Sequence, residues 1–140
     1  MLGQAVYAIG SGCQSERDCA QQLLNRLQRA INQRNWALFS DCFTQEVLMV
    51  NLLGQRLAGP AELICYQQQL IDMYPDRVWI YQLLHLQQLD VHSFLINAEQ
   101  HWQRAAQGSG QQHKVGLCST PLYVVKRQGR QWRICAGNML

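Results

Sequence analysis

Residues 30–63 read AINQRNWALFSDCFTQEVLMVNLLGQRLAGPAEL, and the periodicity changes four times along them. A helical repeat runs to a break near Asn35 and resumes through Trp36, Phe39 and Phe43 as a short second helix. The apolar run EVLMVN reads as a strand, and LLGQRLAG as a turn with a short return strand. At GPAEL a third helix opens, with Pro60 at its first position and Glu62 in its first turn. Asn51 closes the strand immediately before Gly54. A carboxamide there either caps the following turn, a common role for Asn, or is the polar group at the bottom of a pocket.

Upstream, Ser15 is a helix N-cap, with Glu16 and Asp18 in the first turn where carboxylates suit the helix dipole. Apolar residues then recur at Ala20, Leu23, Leu24, Leu27, Ala30 and Ile31, one stripe of a helix about five turns long. Arg26, Arg29 and Arg34 take the other face. Downstream, the third helix has an expected buried stripe of Leu63, Tyr66, Leu70 and Met73 or Tyr74, and Pro75 ends it. Four long segments rich in Val, Ile, Leu and aromatics follow: RVWIYQLLHLQQL, DVHSFLINAEQHWQR, HKVGLCSTPLYVVKR and RQWRICAGNML. Consecutive strands with short links make an antiparallel sheet. In the second segment Phe94, Ile96, Ala98, Gln100 and Trp102 share the face expected toward the helices. Ser93, Leu95, Asn97, Glu99 and His101 share the other. Helices segregated from a meander indicate an α+β layer fold. The expected form is a cone-shaped curved antiparallel sheet wrapped around a long N-terminal helix, three helices on one face. Residues 1–14 read as a flexible arm and 15–140 as a single domain.

Residues 30–63 are similar to the opening of the ketosteroid isomerase-like and nuclear transport factor 2-like superfamily. The segment STPLYVVKRQGRQWRICAGN resembles the closing hairpin of its small SnoaL-like members. The resemblance spans Ser15 to Asn138 and implies the cone fold. It also implies a set of positions at which catalytic groups stand in the steroid isomerases. The proton-shuttling aspartate of those enzymes falls on Asn51, the phenol of the first helix on Leu27, and a second donor near Tyr123. An amide cannot accept a proton near neutral pH, so steroid isomerisation is not expected. The charge relay of epoxide hydrolases needs a carboxylate on the last strand, where WRICAGN has none.

The bulk numbers bound the function further. The chain of 140 residues carries 48% hydrophobic and 15% charged residues, with a net charge of +3. A charged share well below the usual quarter leaves apolar surface to be buried in a partner, and a homodimer through the outer sheet face is expected. Lys and Arg are scattered, so nucleic acid is not an expected partner. With no apolar run long enough to span a bilayer, neither is a membrane. The cysteines at 13, 19, 42, 65, 118 and 135 lack C-x-x-C or finger spacing. They are expected as reduced thiols in a cytoplasmic protein, with no metal and no cofactor. Glu99 and His101 lie two apart on one strand face, the spacing of an acid/base pair, on the face expected outside the cone. His85, His92 and His113 have no partner at ligand spacing.

The expected function is binding of a small apolar or polycyclic molecule inside the cone. Candidate cavity residues are Asn51, Tyr123, Trp36, Phe39, Tyr66, Phe94, Trp102 and Ser119. The alternatives are an isomerase, cyclase or hydrolase with a non-standard site, and an interaction module without a ligand.

Overall fold

A computed structural model of the chain describes residues 15–104 and 119–139. The expected arm at 1–14, His113, Cys13 and Cys118 lie outside the described residues. Helices α1 (Glu16–Gln33) and α2 (Trp36–Asp41) lead into strands β1 (Phe43–Val50) and β2 (Arg56–Ala58), then helix α3 (Gly59–Met73). Strands β3 (Arg77–Asp90), β4 (Ser93–Arg104), β5 (Leu122–Gln128) and β6 (Gln131–Asn138) complete the domain. The third expected segment therefore contributes a strand only from Leu122, preceded by an isolated bridge between Ser119 and Gln100.

The six strands form one sheet in the order β2-β1-β6-β5-β4-β3. The meander from β3 to β6 is antiparallel, but β1 lies parallel to β6, with Leu48 opposite Ala136 and Val50 opposite Asn138. The sheet is thus mixed rather than wholly antiparallel. This pairing joins residues about ninety positions apart, which hairpin signals cannot reveal.

Helix α1 forms as its sequence dictates. The Ser15 hydroxyl accepts from the Asp18 N–H at 3.1 Å. The stripe from Ala20 to Ile31 is buried throughout, and Arg34 ends the helix in a left-handed conformation at φ 54°. The polar side of the same helix performs a second task. Strand β3 sits at the end of the sheet, so one row of its backbone groups has no neighbouring strand. Asn32 Nδ2 donates to the Trp79 carbonyl and Asn32 Oδ1 accepts from the Trp79 N–H, both at 2.8 Å. Tyr81 N–H donates to Gln28 Oε1 at 2.9 Å, and Leu83 N–H to Gln21 Oε1 at 3.2 Å. Three carboxamides on one helix thus stand in for a missing strand.

Helix α3 begins at Gly59, one residue before the expected start, with Pro60 in its first turn and Glu62 Oε1 accepting from the Ala58 N–H at 2.9 Å. Its buried residues are Leu63, Gln67 and Ile71, while Met73 is 65% exposed. The helix is turned from its expected orientation, because Leu63 and Ile71 meet the core while Tyr66, Leu70 and Tyr74 face a cavity. Arg133 ties α2 to β6. Its Nη2 pairs with Asp41 Oδ1 at 2.7 Å and its Nε donates to the Asp41 carbonyl at 3.0 Å.

The expectation of reduced thiols fails at Cys19, which is disulfide-bonded. Cys42, Cys65 and Cys135 are free thiols, so its partner lies outside the described residues. Disulfides persist in oxidising compartments, and the cysteines therefore give no support to a reducing cytoplasm. Among the described residues no helix is long and apolar enough to cross a membrane.

Substituting Asn32→Ala removes both hydrogen bonds to Trp79 and leaves part-buried backbone groups unpaired. A loss of about 1–3 kcal/mol in urea unfolding is expected. The exposed Gln22→Ala control on the same helix should change stability by less than about 0.5 kcal/mol. Equal effects of the two would show that the edge contact is not stabilising.

Candidate functional site

A cavity of about 530 Å³ opens between α3 and the inner face of the sheet. Helix α3 supplies Tyr66, Gln67, Leu70 and Tyr74 to one wall. The opposite wall is built from Arg77, Trp79 and Tyr81 of β3, Gln100 and Trp102 of β4, and Tyr123 of β5. Ser119, Leu52 and Met139 close its rim. The strand register explains the grouping. Trp79 lies opposite Trp102 and Tyr81 opposite Gln100, and residues directly opposite on adjacent strands share a face. Tyr123 follows on the next strand, opposite Ile96 and Gly137. A Cβ at Gly137 would collide with the Leu122 carbonyl oxygen and come within 2.9 Å of the Tyr123 ring. Only glycine there lets the phenol of Tyr123 lie down over β6.

Four of the candidate residues, Tyr66, Trp102, Ser119 and Tyr123, line this cavity. The other four do not. Trp36 and Phe39 pack edge to face with ring centroids 5.7 Å apart, and Phe39 meets Phe43 at 4.9 Å, forming the aromatic layer under α2. Phe94 packs against Trp132 at 4.6 Å. It shares a face with Trp102 but stands at the other end of β4, where the core is filled.

Asn51 is fully buried yet turned away from the cavity. Its Oδ1 accepts from the N–H groups of Leu53 and Gln55 at 3.0 and 2.9 Å, and its Nδ2 donates to Gln55 Oε1 at 2.9 Å. The Gly54 N–H donates to the Asn51 carbonyl at 3.0 Å, and Gly54 takes φ 78°, which suits glycine. The amide is consumed by the turn, so the capping role holds. Leu27, where the resemblance puts a phenol, is core.

The pair Glu99 and His101 forms, with Nδ1 and Oε1 3.1 Å apart. It lies on the face opposite Phe94, Ile96 and Ala98, as expected, and neither residue lines the cavity. His92 sits in the β3–β4 turn, where its N–H donates to Asp90 Oδ1 at 2.7 Å.

The polar character of the cavity comes mainly from phenols. Tyr81 and Tyr123 are buried and line the cavity, yet neither hydroxyl has a hydrogen-bond partner among the described residues. Both therefore open into the cavity as donors. Burial pushes the Tyr81 phenol well above its ordinary value, and nearby Tyr123, Cys42 and Tyr66 push it the same way. Burial alone raises Tyr123 far above its ordinary value, and raises Tyr66. Ser119 Oγ donates to Gln100 Oε1 at 3.2 Å, which orients the Gln100 amide at the rim. Among the described residues the lining contains no carboxylate, histidine or cysteine.

Several lining residues carried a readable signal. Alternation along DRVWIYQ places Trp79 and Tyr81 on one face with Arg77, and a repeat of four places Tyr66, Leu70 and Tyr74 on one side of α3. Alternation likewise put Gln100 on the inward face of its strand, whereas Gln67, in the run YQQQL, had no signal to set it apart from Gln68 and Gln69.

No family model and no curated protein sequence matches the chain. Solved structures do. A domain of unknown function with a cystatin-like fold from Nostoc punctiforme is 18% identical with a TM-score of 0.71, covering 85% of this chain and 72% of that one. A nuclear transport factor 2-like protein of unknown function from Shewanella oneidensis is 15% identical, with a TM-score of 0.66 and coverage of 89% and 98%. A ketosteroid isomerase-like protein from Erwinia carotovora atroseptica is 9% identical, with a TM-score of 0.67 and coverage of 89% and 94%. The chain has the α+β cone fold of these proteins, and at such identities the likeness gives the fold alone.

The raised phenols predict a pH dependence. Tyr81 and Tyr123 have folded values above their unfolded value of 10.0. Their contribution to stability is complete below about pH 10 and is lost as pH rises from there through the folded values. Ultraviolet titration should find fewer phenolates just above pH 10 in the native protein than in the urea-unfolded chain. The urea midpoint should fall over the same range. A native titration in which all tyrosines ionise together near the ordinary value would contradict this.

Proposed function

We propose that the chain binds a small, mostly apolar molecule in the cavity between α3 and the sheet. The observation that carries the reading is the cavity itself, about 530 Å³ and walled by Tyr66, Leu70, Trp79, Trp102 and Tyr123. Ligand sites are typically concave, largely apolar and of this size, with a few placed polar groups. Here those groups are the phenols of Tyr81 and Tyr123, with Ser119 and Gln100 at the rim. A buried donor without a protein partner is costly, and a ligand acceptor relieves that cost. Binding is favoured over acid–base catalysis. The ionisable lining groups among the described residues are tyrosines and one arginine, and neither type accepts a proton at neutral pH.

Phenylnaphthylamine, an uncharged dye that fluoresces in apolar surroundings, tests this directly. Saturable binding to the wild type is expected, weakened roughly tenfold or more by Leu70→Trp, which adds volume at the cavity wall. Circular dichroism checks that the variant is folded, and Leu70→Phe serves if it is not. No saturable binding by the wild type would end the proposal.

A second reading concerns the other side of the sheet. Leu95 lies opposite Val124, Val124 opposite Ala136, and Ala136 opposite Leu48. This apolar row crosses four strands on the outer face, and Leu48 is 43% exposed. It favours a homodimer through the outer sheet face. Sedimentation should find a dimer that Val124→Lys converts to a folded monomer. A monomeric wild type, or a dimer indifferent to that change, would remove this reading.

A further inference from the structure

The cavity wall holds a single cation among the described residues, Arg77, at the start of β3. Its guanidinium carbon is 3.6 Å from the ring centroid of Tyr74 and 3.7 Å from that of Trp102. Two rings that near cannot share one face of a planar group, so they flank it. Trp79 stands further off, at 6.0 Å. Stacking of this kind holds the plane in place and leaves the in-plane N–H edge as its donor surface.

That edge is unused. Among the described residues the Arg77 side chain makes no hydrogen bond and no ion pair. Its neighbour Asp76 leans instead toward Arg104, at 3.9 Å. No acidic side chain among the described residues lines the cavity to neutralise it. A half-buried guanidinium fixed by two aromatic rings, facing an apolar cavity and lacking a counter-ion among the described residues, is arranged as one half of a charge pair.

We infer that the occupant of the cavity is an amphipathic organic anion, and that Arg77 receives its acidic headgroup. The inference rests on the binding reading above and specifies the chemical class of the ligand. A carboxylate or sulfonate presents two oxygens in the geometry of the guanidinium edge and accepts two parallel N–H bonds. Its flat apolar body extends between Trp79, Tyr66 and Leu70 toward the phenols of Tyr81 and Tyr123. A point charge would not be held in this way, because lysine lacks the plane that the rings grip.

Two dyes that share one ring system separate this inference from the reading beneath it. Anilinonaphthalene sulfonate carries an anion, and phenylnaphthylamine is its uncharged parent. In fluorescence titrations the wild type should bind the sulfonate about tenfold or more tightly than the parent, as a charge-assisted pair allows. Arg77→Met should abolish that preference, so that the variant binds the sulfonate and the parent within about twofold of each other. Arg77→Lys keeps the charge and, if Met perturbs folding, reports in its place, with a preference reduced but present. If the parent binds while the sulfonate has no advantage, or if the advantage survives in Arg77→Met, the assignment to Arg77 is overturned and the cavity reading stands. If neither dye binds the wild type, the cavity reading falls and the inference falls with it.

Discussion

The docking of α1 against β3 is the constraint on which the rest of this structure depends. A curved sheet needs something inside its curve, and a sheet that ends in a strand as long as β3 needs something along its edge. One helix meets both needs. Its apolar stripe from Ala20 to Ile31 fills the core. Gln21, Gln28 and Asn32, spaced by seven and four along the same helix, hydrogen-bond to the backbone of Leu83, Tyr81 and Trp79. The interactions fix the helix in depth and also in register. A slide of one turn would leave four backbone groups unpaired, the N–H and carbonyl of Trp79 and the N–H groups of Tyr81 and Leu83, at roughly 1–3 kcal/mol each.

The cavity follows from where that docking stops. Helix α1 ends at Arg34, just past the contact of Asn32 with Trp79. The strands continue beyond it through Arg77 and Trp102, so their inner faces need another cover, and α3 supplies it. Its contribution to the core is Leu63 and Ile71, with Ile64 packed against that core. The adjacent ridge of Tyr66, Leu70 and Tyr74 roofs a space instead of filling one. The strands themselves show the transition. Along β4, Phe94, Ile96 and Ala98 are fully buried, whereas Gln100 and Trp102, on the same face, are only half-buried and look into the cavity. Core and cavity are successive lengths of one surface.

This continuity explains what could be read from the sequence. Periodicity assigns a residue to a face, so the α1 stripe, the β4 faces and the separation of Glu99 and His101 from the cavity all appear in the pattern. Periodicity does not give depth along a strand. Phe94 and Trp102 are indistinguishable by alternation, yet one is packed on Trp132 and the other lines open space. Asn51 was ambiguous for a different reason. A carboxamide can satisfy a turn or a ligand with the same atoms, and only the positions of the Leu53 and Gln55 N–H groups decide. The task of the α1 carboxamides is not legible in the sequence, because helix polarity carries no record of a strand edge lying beside it. The parallel pairing of β1 with β6 was likewise out of reach of any local signal.

The chemistry left in the cone is consistent with the position of Asn51. The position at which the resemblance to steroid isomerases puts a proton shuttle holds Asn51, an amide hydrogen-bonded within its own turn, and the position at which it puts a first-helix phenol holds the core residue Leu27. The phenols that do face the cavity, Tyr81 and Tyr123, arise from the sheet, and burial holds them firmly protonated. Arg77 is permanently charged. The groups most confined by the cavity are thus donors whose protonation does not change near neutral pH. Such a lining can fix an acceptor in space and sense its charge, but among the described residues it has no carboxylate or histidine that takes a proton up and returns it. Under the binding reading proposed above, recognition is governed by where a ligand places its oxygens relative to two phenols and a guanidinium.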